Sequence, residues 1–380
     1  VKFATTTLAF CVAALLSLGM VMLYSSSMAD KNSSHFLVMQ LAWCGLGLVA
    51  CVAGASLDYR ILKKLAWPLL AVALVLLALV FVPQVGVKVN GARRWIGWKS
   101  VSAIRFQSSE LAKIALIIVV AWYGDRFQRK MGSWRHGILL PGLFIAPVLG
   151  LIFFEPDRGT TILMAAVAGI MLLIAGVRWK FIVPPMLAGA AAFGFSLLFD
   201  PMRTKRIFAW LDVEKHKMDI GYQAYGAMLA LGTGGWTGSG LGNSRQKLGF
   251  LPEHNTDFIF SIIGEELGLV ATLLVVLAFV VIVICGIYIA WNAPDTFGLL
   301  LGAGVTFLIG LQACINIGVV TSALPNKGLP LPFISYGGSN LLMMLAGIGL
   351  LLSIARKARG AEIVAGKELE PDGIAAPQLT

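Results

Sequence analysis

Charge is scarce in this chain. Asp, Glu, Lys and Arg make up only 13% of its 380 residues, and 58% are hydrophobic, which excludes an ordinary soluble domain. The five cysteines (Cys11, Cys44, Cys51, Cys285, Cys314) all fall in apolar runs and form no CxxC pair, so neither a disulfide framework nor a zinc site follows from them. No two aspartates are separated by a single residue, so the pair that often holds a metal–nucleotide sugar is absent. The glycine-rich run Gly238 to Lys247 is neither GxGxxG nor a P-loop and follows no strand, which argues against nucleotide binding. No internal repeat stands out, which weakens an inverted-repeat transporter without excluding it. Nothing points to a nucleic-acid partner.

What the chain does have is long apolar runs. Ten of them, at 7–25, 36–56, 65–82, 105–124, 138–154, 159–177, 181–199, 257–290, 297–320 and 333–355, are sized to cross ~30 Å of hydrocarbon at ~1.5 Å per residue. The first exceeds the apolar core of a secretory signal (~7–15 residues) and more runs follow, so it reads as a first spanning helix. The expectation is an all-α polytopic membrane protein of ten helices, with the over-long run 257–290 tilted or projecting beyond the bilayer. One membrane domain covers residues 1–360, an external loop spans 200–256, and residues 361–380 form a disordered cytoplasmic tail rich in polar residues, Pro and Gly. Within the loop, residues 202–218 mix Arg203, Lys205 and Arg206 with Ile207, Phe208 and Trp210, as a segment lying on the membrane surface does. Residues 232–242 are too rich in glycine for a stable helix.

Lys and Arg set the orientation. With both termini in the cytoplasm, thirteen basic residues lie on the inner side, including Arg60, Lys63, Arg126, Arg178 and Arg356. Eight lie in the short external loops, including Lys31 and Lys327. The external loop 83–105 alone supplies five of those eight, Lys88, Arg93, Arg94, Lys99 and Arg105, with Trp95 and Trp98 as interfacial anchors.

Asp257 is the most informative single residue. It stands where the polar loop turns into a long apolar run, and a carboxylate there is costly. One reading is an N-cap for a helix starting near Thr256. The other is catalysis, favoured by the polar residues crowded into the preceding loop. Glu265 and Glu266 read as internal structural partners. Glu110 and Lys113, three apart at the start of the fourth run, share a helix face and can pair. They are either a structural ion pair or part of an outer-leaflet cavity that admits a charged headgroup. Arg93 and Arg94 offer planar forks to a pyrophosphate, and Asp157 before Arg158 reads as either turn chemistry and a helix start or part of a site. Ser244, Gln246 and Lys247 belong to a pliable loop able to close over a lipid-linked sugar. Residues 324–339, with three prolines and adjacent Gly337 and Gly338, make irregular backbone that is tolerated at membrane depth only where it is buried or lines a cavity. Lys327 and Ser335 are its candidate contacts.

Taken in order, GARRWI (91–96), FQSSELAK (106–113), PDRGT (156–160), GLGNSRQK (240–247), LPEHNTDFIFSIIGEELG (251–268) and LPNKGLPLPFISYGGS (324–339) closely resemble the SEDS family, the FtsW/RodA proteins of bacterial cell-wall synthesis, across residues 5–357. GLGNSRQK and IIGEELG look more like the FtsW division branch than the RodA elongation branch. The family usually has Pro where Ser108 stands and His where Asn255 stands.

The resemblance implies a ten-helix peptidoglycan glycosyltransferase that polymerises lipid II outside the cytoplasmic membrane, together with a class B penicillin-binding protein and other division proteins at the septum. It assigns the essential aspartate to Asp257 and polar cavity positions to Arg105, Glu110 and Lys113. No cofactor is implied with certainty, and a divalent cation, Mg²⁺ or Mn²⁺, is left open. Two rival readings stand beside it: a lipid II flippase, which needs a polar path to the cytoplasmic leaflet, and a non-catalytic scaffold for division enzymes.

Overall fold

In a computed structural model of the chain, residues 1–28, 33–89, 92–97, 105–199 and 201–369 are described. Lys31, Trp98 and Lys99 lie outside the described residues, as does the tail from residue 370. The apolar runs fold as helices, because in a membrane the backbone must satisfy its own polar groups. They are α1 (Lys2–Ser27), α2 (Ser33–Ser56), α3 (Leu62–Leu79), α4 (Ser108–Phe127), α5 (Leu140–Phe154), α6 (Arg158–Ile174) and α7 (Trp179–Leu198). Then come two shorter loop helices, α8 (Pro201–Leu211) and α9 (Tyr222–Thr233), followed by α10 (Ile259–Trp291), α11 (Thr296–Val320) and α12 (Gly338–Leu369).

Among the described residues, eight helices are long and apolar enough to cross a membrane. Two further elements fall outside that set for visible reasons. Helix α4 carries Glu110, Lys113, Asp125 and Arg126, and α6 is only 17 residues long. Helices α4 and α11 are buried along most of their length and form the centre. Helices α2 and α7 leave most of their surface outward.

Four features depart from the all-α sequence reading. Three short segments form an antiparallel sheet, β1 (Gly86–Val89), β2 (Ala92–Ile96) and β3 (Phe106–Gln107), in that order. Val87, Trp95, Ile96 and Phe106 suit a half-buried pleated surface, and that preference prevails over the irregular loop expected. The long loop holds two helices, and α9 is formed by the apolar stretch that precedes the glycines. Helix α12 continues nine residues past Gly360, through the helix-forming Ala361, Glu362 and Ala365, where an irregular tail was expected.

The fourth departure concerns α10, which is broken rather than simply tilted. Gly268 has φ 78° and ψ −174°, a conformation open to glycine. Its Cβ position is also occupied by the backbone of Gly238 and Trp236. The polar groups freed at the break are claimed by residues 235–240: Ser239 N donates to Glu265 O (2.9 Å), Gly240 N to Glu266 O (3.0 Å) and Leu269 N to Gly235 O (2.9 Å).

The two ends of the bundle differ. At one end, Arg60–Asp295 (2.8 Å), Lys63–Asp125 (2.9 Å) and Lys357–Asp58 (2.8 Å) tie the helix ends together as ion pairs. At the other, the sheet, the α5–α6 turn, α8 and residues 321–337 gather around a cleft.

Candidate active site

Asp257 is not a helix cap. The turn over residues 252–258 ends at Phe258, helix α10 starts at Ile259, and no side chain caps it. The backbone around Asp257 is held by the irregular segment between α11 and α12. Asn316 Nδ2 donates to Asp257 O (2.8 Å) and to Leu329 O (2.7 Å). Ser335 Oγ donates to Thr256 O (2.6 Å) and accepts from Leu331 N (2.8 Å), while Tyr336 N donates to Asn255 O (3.0 Å). Among the described residues nothing hydrogen-bonds or pairs with the Asp257 carboxylate itself. Its Oδ2 faces Gly328, where a Cβ would lie 2.6 Å away. Burial and the nearby Glu253 and Asp157 carboxylates push its pKa up to about 7, against a smaller opposite pull from Arg94.

Gly328 also lines an open cleft of about 150 Å³. Its walls are Arg94, the α5–α6 turn with Asp157 and Arg158, Phe193 and Leu197 of α7, Arg206 and Ile207 of α8, and residues 325–327. Four cations therefore meet there. Arg94 is aimed by the sheet: Val87 pairs with Trp95 and Lys88 with Arg93, which leaves Arg94 as the extra residue of a β-bulge. Its guanidinium donates to Glu155 O (3.2 Å) and Pro156 O (2.6 Å). The Arg158 guanidinium and Lys327 ammonium lie over the Phe193 ring at 5.5 and 4.8 Å. Burial and the neighbouring Arg158 hold the Lys327 pKa below its usual value, so an anion entering here relieves an existing repulsion. Asp157 caps α6 by accepting from Thr160 N (3.1 Å) and Thr160 Oγ1 (2.9 Å), and it lines the cleft as well.

Other residues expected to contact substrate serve as supports. Glu110 and Lys113 form a buried pair at 2.8 Å. Lys113 Nζ also donates to Gln312 Oε1 (2.9 Å), Gln312 Nε2 to Pro330 O (2.9 Å), and Asn340 Nδ2 to Glu110 Oε2 (3.1 Å). The pair thus underpins the segment that holds Asp257 and does not line the cleft, because helix packing closes over it. Arg105 is exposed, and its carbonyl accepts from Ser339 Oγ (3.3 Å). Arg93 is exposed on the hairpin outside the cleft lining. Ser335 works through its backbone staples.

Ser244, Gln246 and Lys247 are likewise turned away from the cleft. Lys247 pairs with Glu266 (2.9 Å) and reaches Ser25 O (3.2 Å). Ser244 Oγ bonds Glu265, whose carboxylate also accepts from Arg245 N (2.9 Å) and Gln246 N (3.4 Å). The two glutamates thereby fasten the returning loop to α1 and α10. Arg158 and Arg206 were read from the sequence as part of a turn and of a surface segment, and Gln312 and Asn316 were not singled out at all. The last two carried a signal, being polar residues four apart in an otherwise apolar helix.

Apolar spanning helices, an unpartnered carboxylate against Gly328 and the cationic cleft that Gly328 lines define a class: polytopic membrane proteins with a site suited to an anionic ligand. The chain matches the FtsW/RodA/SpoVE family, described as cell cycle protein, over residues 6–360, and it belongs to that family. It is 41% identical over 349 residues to the probable peptidoglycan glycosyltransferase FtsW of Trichlorobacter lovleyi, covering 90% of this chain and 91% of that one. It is 38% identical over 357 residues to stage V sporulation protein E of Bacillus subtilis, covering 91% and 95%. Among solved structures, a chain of a peptidoglycan synthase complex that coordinates polymerization and crosslinking superposes with a TM-score of 0.75 at 30% identity, covering 92% of this chain and 97% of that one. The rod shape determining protein RodA of Thermus thermophilus gives 0.69 at 29% identity, covering 92% and 96%.

Proposed function

We propose that this protein is a peptidoglycan glycosyltransferase that polymerises lipid II in septal wall synthesis, with Asp257 as its general base. One observation carries the mechanism: an unpartnered carboxylate set against Gly328, a residue that lines a cleft of four cations. Ionised Asp257 takes the proton of the acceptor hydroxyl as that oxygen attacks the donor's anomeric carbon. The bond from that carbon to the polyprenyl pyrophosphate breaks, and the electron pair leaves with the pyrophosphate. Arg94, Arg158, Arg206 and Lys327 stabilise the charge that develops there. Attack opposite the leaving group inverts the anomeric centre.

Among the described residues, no three His, Cys, Asp or Glu side chains come together as a metal-ligand set.

The supporting topology is ten crossings, the eight apolar helices plus α4 and α6, with both termini in the cytoplasm and the cleft end outside. The likeness to a complex coordinating polymerization and crosslinking supports a class B penicillin-binding protein as partner. The flippase reading is disfavoured because the cationic cleft lies at one end of the bundle, while matched ion pairs tie the helix ends together at the other. Purified protein in liposomes, given lipid II labelled on one leaflet only, separates the two. Glycan strands from outer-leaflet substrate support the polymerase, and label transfer between leaflets without polymer overturns it.

A further inference from the structure

The α5–α6 turn contains an acid that the mechanism does not use. Glu155 follows the last residue of α5 and is 1% exposed. Its Oε1 accepts a long hydrogen bond from Ser108 Oγ (3.4 Å), and its Oε2 has no partner. The carbonyls of Glu155 and Pro156 both accept from the Arg94 guanidinium. Arg94 thus bonds two neutral carbonyls beside a carboxyl group with which it makes no ion pair. A buried carboxylate adjacent to a guanidinium would pair with it.

We infer that Glu155 is a positioning residue for substrate binding: un-ionised, it leaves the full charge of Arg94 to the cleft, and ionised, it withdraws that charge into an internal ion pair. The inference deepens the pyrophosphate reading of the cleft and rests on it. Among the described residues, the groups facing Glu155 are few. Asp157, at the start of α6, disfavours its ionisation; Arg94, on β2, favours it; from α4 the facing group is the uncharged Ser108 hydroxyl. Burial outweighs the rest, and the pKa is pushed up to about 8. The sign follows. At neutral pH the proton is on Glu155 and the cleft keeps its cation; above about 8 the proton leaves to solvent and anion affinity falls.

The test uses the full chain in detergent with farnesyl pyrophosphate as probe, titrated at about pH 7 and about pH 9.5. Glu155→Gln fixes the neutral form, and the probe's own ionisation is common to both proteins. The parent is expected to lose roughly tenfold more affinity across this interval than Glu155→Gln, the scale of one charge-assisted contact. Removing the hydroxyl that steadies the ionised form, by Ser108→Ala, is expected to move the parent's alkaline loss to higher pH. Infrared difference spectra supply a readout independent of binding: beyond the loss that Asp257 contributes in both proteins, the parent loses a second protonated-carboxyl carbonyl band on alkalinisation, which Glu155→Gln lacks. Parallel affinity curves for parent and Glu155→Gln, no shift in Ser108→Ala, or no such band would overturn the role of Glu155 alone. Failure of the probe to bind either protein at either pH would overturn the pyrophosphate reading and this inference with it.

Discussion

Replacing Gly328 with alanine tests whether the position of the Asp257 carboxylate matters. The added Cβ would stand 2.6 Å from Oδ2, and no other group is closer. Van der Waals contact with a carbon begins at about 3.4 Å, so oxygen and methyl must separate by ~0.8 Å. The oxygen is the free end of a side chain with no bonds to lose, so it yields and the fold remains. The backbone bonds from Asn316, Ser335 and Tyr336 stay in place. A displacement approaching 1 Å in a general base costs on the order of 100-fold in rate. Gly328→Ala should therefore polymerise lipid II roughly 10- to 100-fold more slowly than the parent, while its thermal unfolding midpoint stays near that of the parent. Polymer formation is followed by gel separation of labelled glycan strands, and stability by intrinsic fluorescence on the same preparation. Parental activity in a folded Gly328→Ala would refute the placement of the reacting base at Gly328.

Because Asp257 acts as a base only when ionised and its pKa stands at about 7, the rate should rise roughly tenfold per pH unit below neutrality and level off above it. A flat profile through that range would contradict the assignment, and a fall on the alkaline side is expected where Glu155 ionises. Lys113→Met leaves Glu110 buried without its cation, which should cost about 3–5 kcal/mol; the double change with Glu110→Gln should recover much of that, read by thermal unfolding. Gly268→Ala sets a side chain against the Gly238 backbone at a positive φ, so it should destabilise the clasp at the α10 break and make residues 235–250 susceptible to proteolysis.

The helices were legible because crossing hydrocarbon imposes a length and a composition that few other segments share. The sheet was also present in the sequence: Val87, Trp95 and Ile96 flank an Asn90-Gly91 pair, a strong hairpin signal, but the basic residues of the loop drew the reading toward lipid headgroups. The break at Gly268 was not legible, since a glycine in an apolar run is ordinary, and only the approach of Gly238 makes it necessary. Asp257 stood out because a carboxylate at that place is costly, and the pairing of Glu110 with Lys113 followed from helical spacing. What the spacing could not give was their environment, a sealed support rather than a cavity wall. The pairing of Lys247 was not legible for a related reason: its partner Glu266 lies nineteen residues away and meets it only through the fold. Arg93 and Arg94 were equivalent by sequence, and the bulge that aims Arg94 separates them.

The most direct test of the account is lipid II polymerisation by Asp257→Asn, which keeps the size of the side chain and removes the base. With the protein folded and still binding a polyprenyl pyrophosphate, polymerisation should fall to background at every pH. Parental rates from that variant would contradict the central claim.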